Sequence, residues 1–172
     1  MRGIIATLGA MLATGPALAE GHVSRVQQLL EIAEAECRAD VMALDPEGPV
    51  PDLEVRPAAI TWVDLDGDWE KDDAVVDFNH VYCSLNYSLW HGTGGSLVHL
   101  VIDDRVSSAW SGGRWQLISF GETPLLLLGR HGGYCDGFGA QPCIQAIAYA
   151  DDSFSTVVLE AGPLDWPEGP DQ

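Results

Sequence analysis

Between His22 and Ala43 the apolar residues Val23, Val26, Leu30, Ala33, Cys37 and Val41 recur at steps of three and four. Gln27, Gln28, Glu31, Glu34 and Arg38 fill the positions between. One apolar stripe with a period near 3.6 predicts an amphipathic α-helix that buries the stripe and leaves the polar side to water. Cys37 falls on that stripe. Residues 44–58 hold Pro46, Pro49, Pro51 and Pro57. Proline lacks the backbone N–H that helices and inner strands use, so this stretch predicts an extended linker crossing the surface. Beyond it, short β-prone runs alternate with turn residues. Strands are predicted at 59–63, 74–79, 81–87, 97–102, 106–110, 115–120, 124–129, 143–149 and 154–159. Asp103-Asp104, Gly112-Gly113 and Asp151-Asp152 are tight-turn pairs between runs and predict hairpins, which join antiparallel neighbours only. The expected fold is therefore α+β and mainly antiparallel β. The N-terminal amphipathic helix packs on a curled antiparallel sheet or a small sandwich or barrel.

The first nineteen residues break that pattern. Met1-Arg2 precedes a small, apolar run from Gly3 to Leu12, then Gly15-Pro16 and the small-x-small site Ala17-Leu18-Ala19. One positive charge, a short apolar run, a helix breaker and an A-x-A site predict a cleavable signal peptide at residues 1–19. An amphipathic N-terminal helix is the alternative, but the run has no polar face. No later stretch reaches the roughly 18 apolar residues of a spanning helix, and no Cys stands at the cleavage point to carry a lipid. The expected product is periplasmic or secreted, with no membrane insertion after cleavage. It comprises one domain at 20–160 and a disordered acidic tail at 161–172, whose sequence includes PLDWPEGPDQ.

Charge then narrows the partners. Cleavage after Ala19 removes one of 8 Lys and Arg and none of 26 Asp and Glu, moving the net charge from −18 to −19. Such a surface repels phosphate backbones and anionic headgroups, which argues against nucleic acid and against peripheral membrane binding. It favours a cationic protein or metal ions, with solubility alone as the plainer explanation. Cys37, Cys83, Cys135 and Cys143 make an even count in an oxidising compartment, which predicts two disulfides. Of the three connectivities, Cys135–Cys143 closing a Gly-rich loop and Cys37–Cys83 tying the helix to the sheet are preferred. A zinc site of His131, Cys135 and Cys143 is the rival, with spacings unlike those of structural zinc.

The strongest local motif is Asp64-Leu65-Asp66-Gly67-Asp68-Trp69-Glu70-Lys71-Asp72. Asp64, Asp66, Asp68 and Asp72 occupy positions 1, 3, 5 and 9 of one loop between two strands, and the backbone carbonyl of Glu70 sits at position 7. Carboxylates at such spacing converge on a hard cation, so Ca2+ is the expected cofactor. A solvated acidic turn is the alternative. This loop resembles the calcium loop of FG-GAP/VCBS-type secreted proteins, whose pattern is D-x-D-G-D-G-x-x-D. The resemblance implies side-chain ligands at Asp64, Asp66, Asp68 and Asp72. Trp69 stands where that family has its second glycine, a position that often takes positive φ. More broadly, the chain resembles a group of small exported bacterial proteins of unknown function. They share a Cys-bearing N-terminal helix, a D-G-D turn, a C-G-T-G-G-C-like segment and a late H-G-x-x-C loop. The counterparts here are Cys37, residues 64–72, the segment from His91 through Gly92-Thr93-Gly94-Gly95 to Ser96, and His131-Gly132-Gly133-Tyr134-Cys135. His91 and Ser96 replace two cysteines, which implies one bridge fewer.

Glycines 92, 94 and 95 are followed by a strand and not by Lys-Ser/Thr and a helix, so they read as a hairpin turn and not as a phosphate loop. His80, His91, His99 and His131 are scattered, and no serine sits in a G-x-S-x-G elbow. Asp77, His80 and Ser84 form a triad on paper only, and His131 reads as a loop anchor. No catalytic residue is assigned. The sequence favours a non-enzymatic binding or interaction module, stabilised by disulfides and calcium, over a small periplasmic hydrolase.

Overall fold

The computed structural model describes residues 23–139, 141 and 143–159. The signal segment and the acidic tail expected from the sequence lie outside the described residues. Helix α1 spans Arg25–Leu44, with the Ser24 hydroxyl accepting from the Gln27 N–H at 3.1 Å as its N-cap. Such a cap satisfies one of the donors that a helix start leaves unpaired. Its start is fastened to the sheet, because the Arg25 N–H donates to the Asp104 carboxylate and Arg25 Nε to Ser107 Oγ at 2.9 Å. Val26, Ala33, Cys37 and Val41 form the buried stripe.

Ten strands follow: β1 Leu53–Val55, β2 Ile60–Val63, β3 Asp73–Asp77, β4 Val81–Cys83, β5 Ser96–Ile102, β6 Val106–Gly112, β7 Trp115–Phe120, β8 Thr123–Arg130, β9 Cys143–Ala150 and β10 Ser153–Leu159. They form two four-stranded antiparallel sheets, ordered β2-β3-β5-β6 and β10-β9-β8-β7, and a small β1-β4 pair. Successive strand residues point to opposite faces, and β3 uses both. Val75 joins Val98, Leu100 and Ile102 in a core against Leu126, Leu128, Ile147 and Tyr149 of the second sheet. Ala74 and Val76 turn the other way and, with Val101, pack against Val26 and Ala33 of the helix. The result is three layers (helix, middle sheet, outer sheet) and not a closed barrel. The expected α+β, mainly antiparallel fold is present in its sandwich form.

The predicted hairpins at Asp103-Asp104 and Asp151-Asp152 are present. All four residues take positive φ, between 49° and 58°, as primed hairpin turns require. Gly112-Gly113 is not a hairpin. β6 pairs with β5 and β7 with β8, so the glycines carry the chain from one sheet to the other. A Cβ on Gly112 would meet Leu128 Cδ1 at 2.6 Å, and the Gly113 N–H donates to the Gly129 carbonyl at 2.9 Å. Two sheets pass this closely only where a side chain is missing.

Three element boundaries also differ. The Pro-rich stretch contains β1, which pairs with β4 from Leu53↔Cys83 to Val55↔Val81. The run expected to be a strand to Asn79 stops at Asp77, whose carboxylate accepts the Asn79 N–H at 2.9 Å and caps a 3-10 turn at Phe78–His80. The 81–87 run stops at Cys83, because Asn86 N–H folds back to the Cys83 carbonyl and the Asn86 amide donates to Asp40 of the helix.

Both preferred disulfides are formed. Cys37–Cys83 joins the helix to β4 across a Cα–Cα distance of 5.5 Å, and Cys135–Cys143 closes the loop before β9 across 6.1 Å. The rival zinc site is thereby excluded, since its two sulfurs are bonded to each other. Both pairings suit an oxidising compartment. Among the described residues no helix is long and apolar enough to cross a membrane.

Candidate metal centre

The 64–72 loop connects β2 to β3 at one end of the sandwich. Leu65 is buried and anchors the loop in the core between the sheets. The fully buried Asp73 accepts the Leu65 N–H at 2.7 Å and the Asp103 N–H at 3.0 Å, which brings the β5–β6 turn beside the loop. Gly67 takes φ +87°, and a Cβ there would lie 3.2 Å from the Glu122 carbonyl of the β7–β8 turn.

Inside the loop the carboxylates are held by backbone N–H groups. Asp64 accepts from Gly67 at 2.6 Å and from Trp69 at 3.1 Å, Asp66 from Asp68 at 3.1 Å, and Asp68 from Glu70 at 2.8 Å. Each carboxylate oxygen that takes one such bond keeps a second lone pair. Oxygens from Asp64, Asp66 and Asp73 lie within 4.8 Å of one another, as do those of Asp66, Asp68 and Asp103, of Asp68, Glu70 and Asp72, and of Asp72, Asp73 and Asp103. Oxygens about 2.4 Å from a shared calcium are at most about 5 Å apart, so these triples have the spacing of groups that could hold a metal ion.

All five residues singled out from the sequence, Asp64, Asp66, Asp68, Glu70 and Asp72, therefore fall in these groups. Glu70 enters through its carboxylate, where the sequence offered only its backbone carbonyl. Asp73 and Asp103 are additions. Asp73 lies just outside both the 64–72 motif and the strand predicted at 74–79, and Asp103 read only as a hairpin residue thirty positions away. No local pattern links it to the loop. Trp69 is exposed and takes φ +74°, the left-handed conformation that suits a glycine.

Crowding shows in the electrostatics. Burial pushes the Asp66 carboxyl above its ordinary pKa, and the neighbouring Asp68, Asp103 and Asp64 charges push the same way. Burial also raises Asp73, with Asp66 and Asp72 adding to the shift and its two backbone hydrogen bonds opposing it. In both, burial is the largest cause, and the like charges only add to it.

The scattered histidines have other employments. His91 stacks on Tyr82 at 4.5 Å, with Nε2 2.9 Å from the Val81 carbonyl and Nδ1 3.4 Å from Ser96 Oγ. The two residues that replace cysteines thus face each other. His131 caps the 3-10 turn at Gly132–Cys135, accepting from Gly133 at 3.3 Å, as a loop anchor should. His80 Nε2 is 4.0 Å from the Asp77 carboxylate in an open cleft of about 480 Å³. That cleft is lined by Asp77, Asn79, His80, Gly113, Arg114 and Trp115, which offer no hydroxyl or thiol. Ser84 does not complete the paper triad, since its hydroxyl accepts the Asp52 N–H at 2.9 Å. No family model, curated protein or solved structure matches the chain.

Proposed function

We propose that this protein is a periplasmic or secreted binding module, held by its two disulfides and by a calcium ion in the 64–72 loop. The observation that carries the calcium reading is the convergence of Asp64, Asp66, Asp68, Glu70 and Asp72 with Asp73 and Asp103 at one end of the sandwich. Seven carboxylates so placed repel one another, and a divalent cation is the most economical way to offset that repulsion. The resemblance of the loop to the FG-GAP/VCBS calcium pattern supports the same ion. The positive φ of Trp69 supports it as well, being a conformation that a glycine adopts without strain. The module reading draws on the formal net charge of −18, which favours a cationic protein partner.

Calcium would be bound by side-chain oxygens and the Glu70 carbonyl, and its role would be to stiffen the loop. A melt in excess calcium against chelator tests this. At a hundred times Kd, a folded-state site adds about 2.7 kcal/mol of stability. An identical melting curve in both conditions would remove calcium from the reading. The partner is tested by pull-down from periplasmic extract at low salt, with and without chelator. Recovery of a basic protein supports the module, and a clean absence of any partner counts against it. A hydrolase reading has the His80–Asp77 pair behind it and no nucleophile among the lining side chains.

A further inference from the structure

We propose that β10 is the docking edge of this module and takes an extended, lysine- or arginine-flanked peptide segment of its partner as an added strand. The inference rests on the binding-module reading and names where and how the partner binds. Among the described residues β10 pairs on one side only, with β9, in an unbroken register from Ser153↔Ala150 to Leu159↔Ile144. An edge strand carries a row of free N–H and C=O groups, and proteins usually blunt it with charge, proline, a bulge or shortness. Ser153-Phe154-Ser155-Thr156-Val157-Val158-Leu159 has no charge, no proline and no bulge, and it is seven residues long. The edge strand β2 has only four residues, while β6 and β7 are joined at the Gly112-Gly113 corner.

Exposure agrees. From Ser153 to Val158 only Phe154 is half-buried, against Trp110 and Tyr149. The two-residue turn Asp151-Asp152 closes on the hydrogen-bonded pair Ala150/Ser153. The antiparallel alternation then turns Ser153, Ser155 and Val157 toward β9 and leaves the N–H and C=O of Phe154, Thr156 and Val158 facing outward.

Charge selects the occupant. Asp151 and Asp152, both exposed, form the turn that leads into the strand. A partner strand with Lys or Arg at the end beside this turn meets opposite charge there, with alternate apolar side chains along Phe154 to Val158. Main-chain bonds would give affinity and the flanks specificity, as in other strand-addition complexes.

The test is amide hydrogen exchange on the full chain, with a peptide of alternating Thr and Val carrying two lysines at each end. The amides of Phe154, Thr156 and Val158 should exchange fast in the free protein and slow by at least about tenfold when the peptide is added. A glutamate-flanked peptide should bind about tenfold more weakly at low salt. A peptide N-methylated along its pairing edge should give no protection, and Thr156→Pro should lose binding while melting near wild type. If Thr156→Pro does not fold, the N-methylated peptide carries the same test. Protection already present in the free protein overturns the proposal. Concentration dependence of that protection would assign the edge to a second copy, and its absence to residues 160–172 of the same chain. Equal binding of both peptides, or protection by neither, also overturns it. A pulled-down partner that leaves these amides exchanging fast rejects the edge and keeps the binding reading. A peptide that binds β10 when extract yields no partner keeps the edge and rejects that reading.

Discussion

The middle and outer sheets have the same strand count and the same antiparallel pairing, yet they differ in what covers them. The middle sheet has the helix on one face and the outer sheet on the other. All five residues of β3 are accordingly buried, including the two aspartates at its ends. Among the described residues no layer covers the far face of the outer sheet, and β9 alternates strictly between buried Cys143, Gln145, Ile147 and Tyr149 and more exposed Ile144, Ala146, Ala148 and Ala150. A strand covered twice buries the residues of both its faces, and one covered once need only alternate. Stability should therefore concentrate in the middle layer and its attachment to the helix. The outer sheet, with β10 at its margin, has surface to spare for contacts.

The disulfides offer the strongest way to break that contrast. Cys37–Cys83 closes 46 residues of chain and Cys135–Cys143 only 8. On the loop-entropy account, Ser at both positions of the first should cost about 4 kcal/mol and at both of the second about 2.5. Urea unfolding of the two double variants checks the order, and equal losses would mean that the helix is no better tied than the loop. Next in size, Leu100→Ala opens the core between the sheets and should cost about 3 kcal/mol. Val157→Ala on the outer sheet should stay within about 0.5 kcal/mol. Similar midpoint shifts for both would contradict the layering.

The calcium test sharpens the comparison at the end of the middle sheet where its β2–β3 loop meets its β5–β6 turn. Asp66→Asn removes one of the crowded carboxylates, so in chelator it should melt at or above wild type. With calcium its stabilisation should fall well below the wild-type increment, read from paired melts. The smallest effect belongs to His99, between helix and middle sheet and 5.0 Å from the Phe78 ring. Burial lowers its pKa, Arg25 lowers it further, and Glu36 opposes the shift. Above the ordinary imidazole pKa of about 6.5 the folded and unfolded chains both hold it neutral, and this part of the stability is fully present. As pH falls below that value the unfolded chain takes the proton first, so stability declines until the lowered native pKa is passed. His99→Gln should flatten that decline, measured as urea midpoints across the range; an unchanged slope would place the titration elsewhere.

Much of the architecture was legible in order along the chain. The helical stripe through Val26, Ala33, Cys37 and Val41, the alternation of β8 and β9 and the aspartate pairs at two hairpins are local signals, because period and turn chemistry are set by near neighbours. The five loop residues were legible for the same reason. Which sheet each strand joined was not. Gly112-Gly113 has the composition of a hairpin, and only the packing of Leu128 and Gly129 beside it makes it a crossing between sheets. Asp103 could not be assigned to the acidic cluster, since its place there depends on the bond from its N–H to Asp73.

Helix, strands, disulfide cysteines and the run of acids were thus determined by the sequence itself, through periodicity, side-chain chemistry and charge. Tertiary structure decided the rest: a sandwich from among the curled sheet, sandwich and barrel that the sequence allowed, carboxylates from separate turns meeting at one end, and β10 left at the margin. Those outcomes depend on which surfaces exclude water together, a sum over distant contacts that no short window of residues contains.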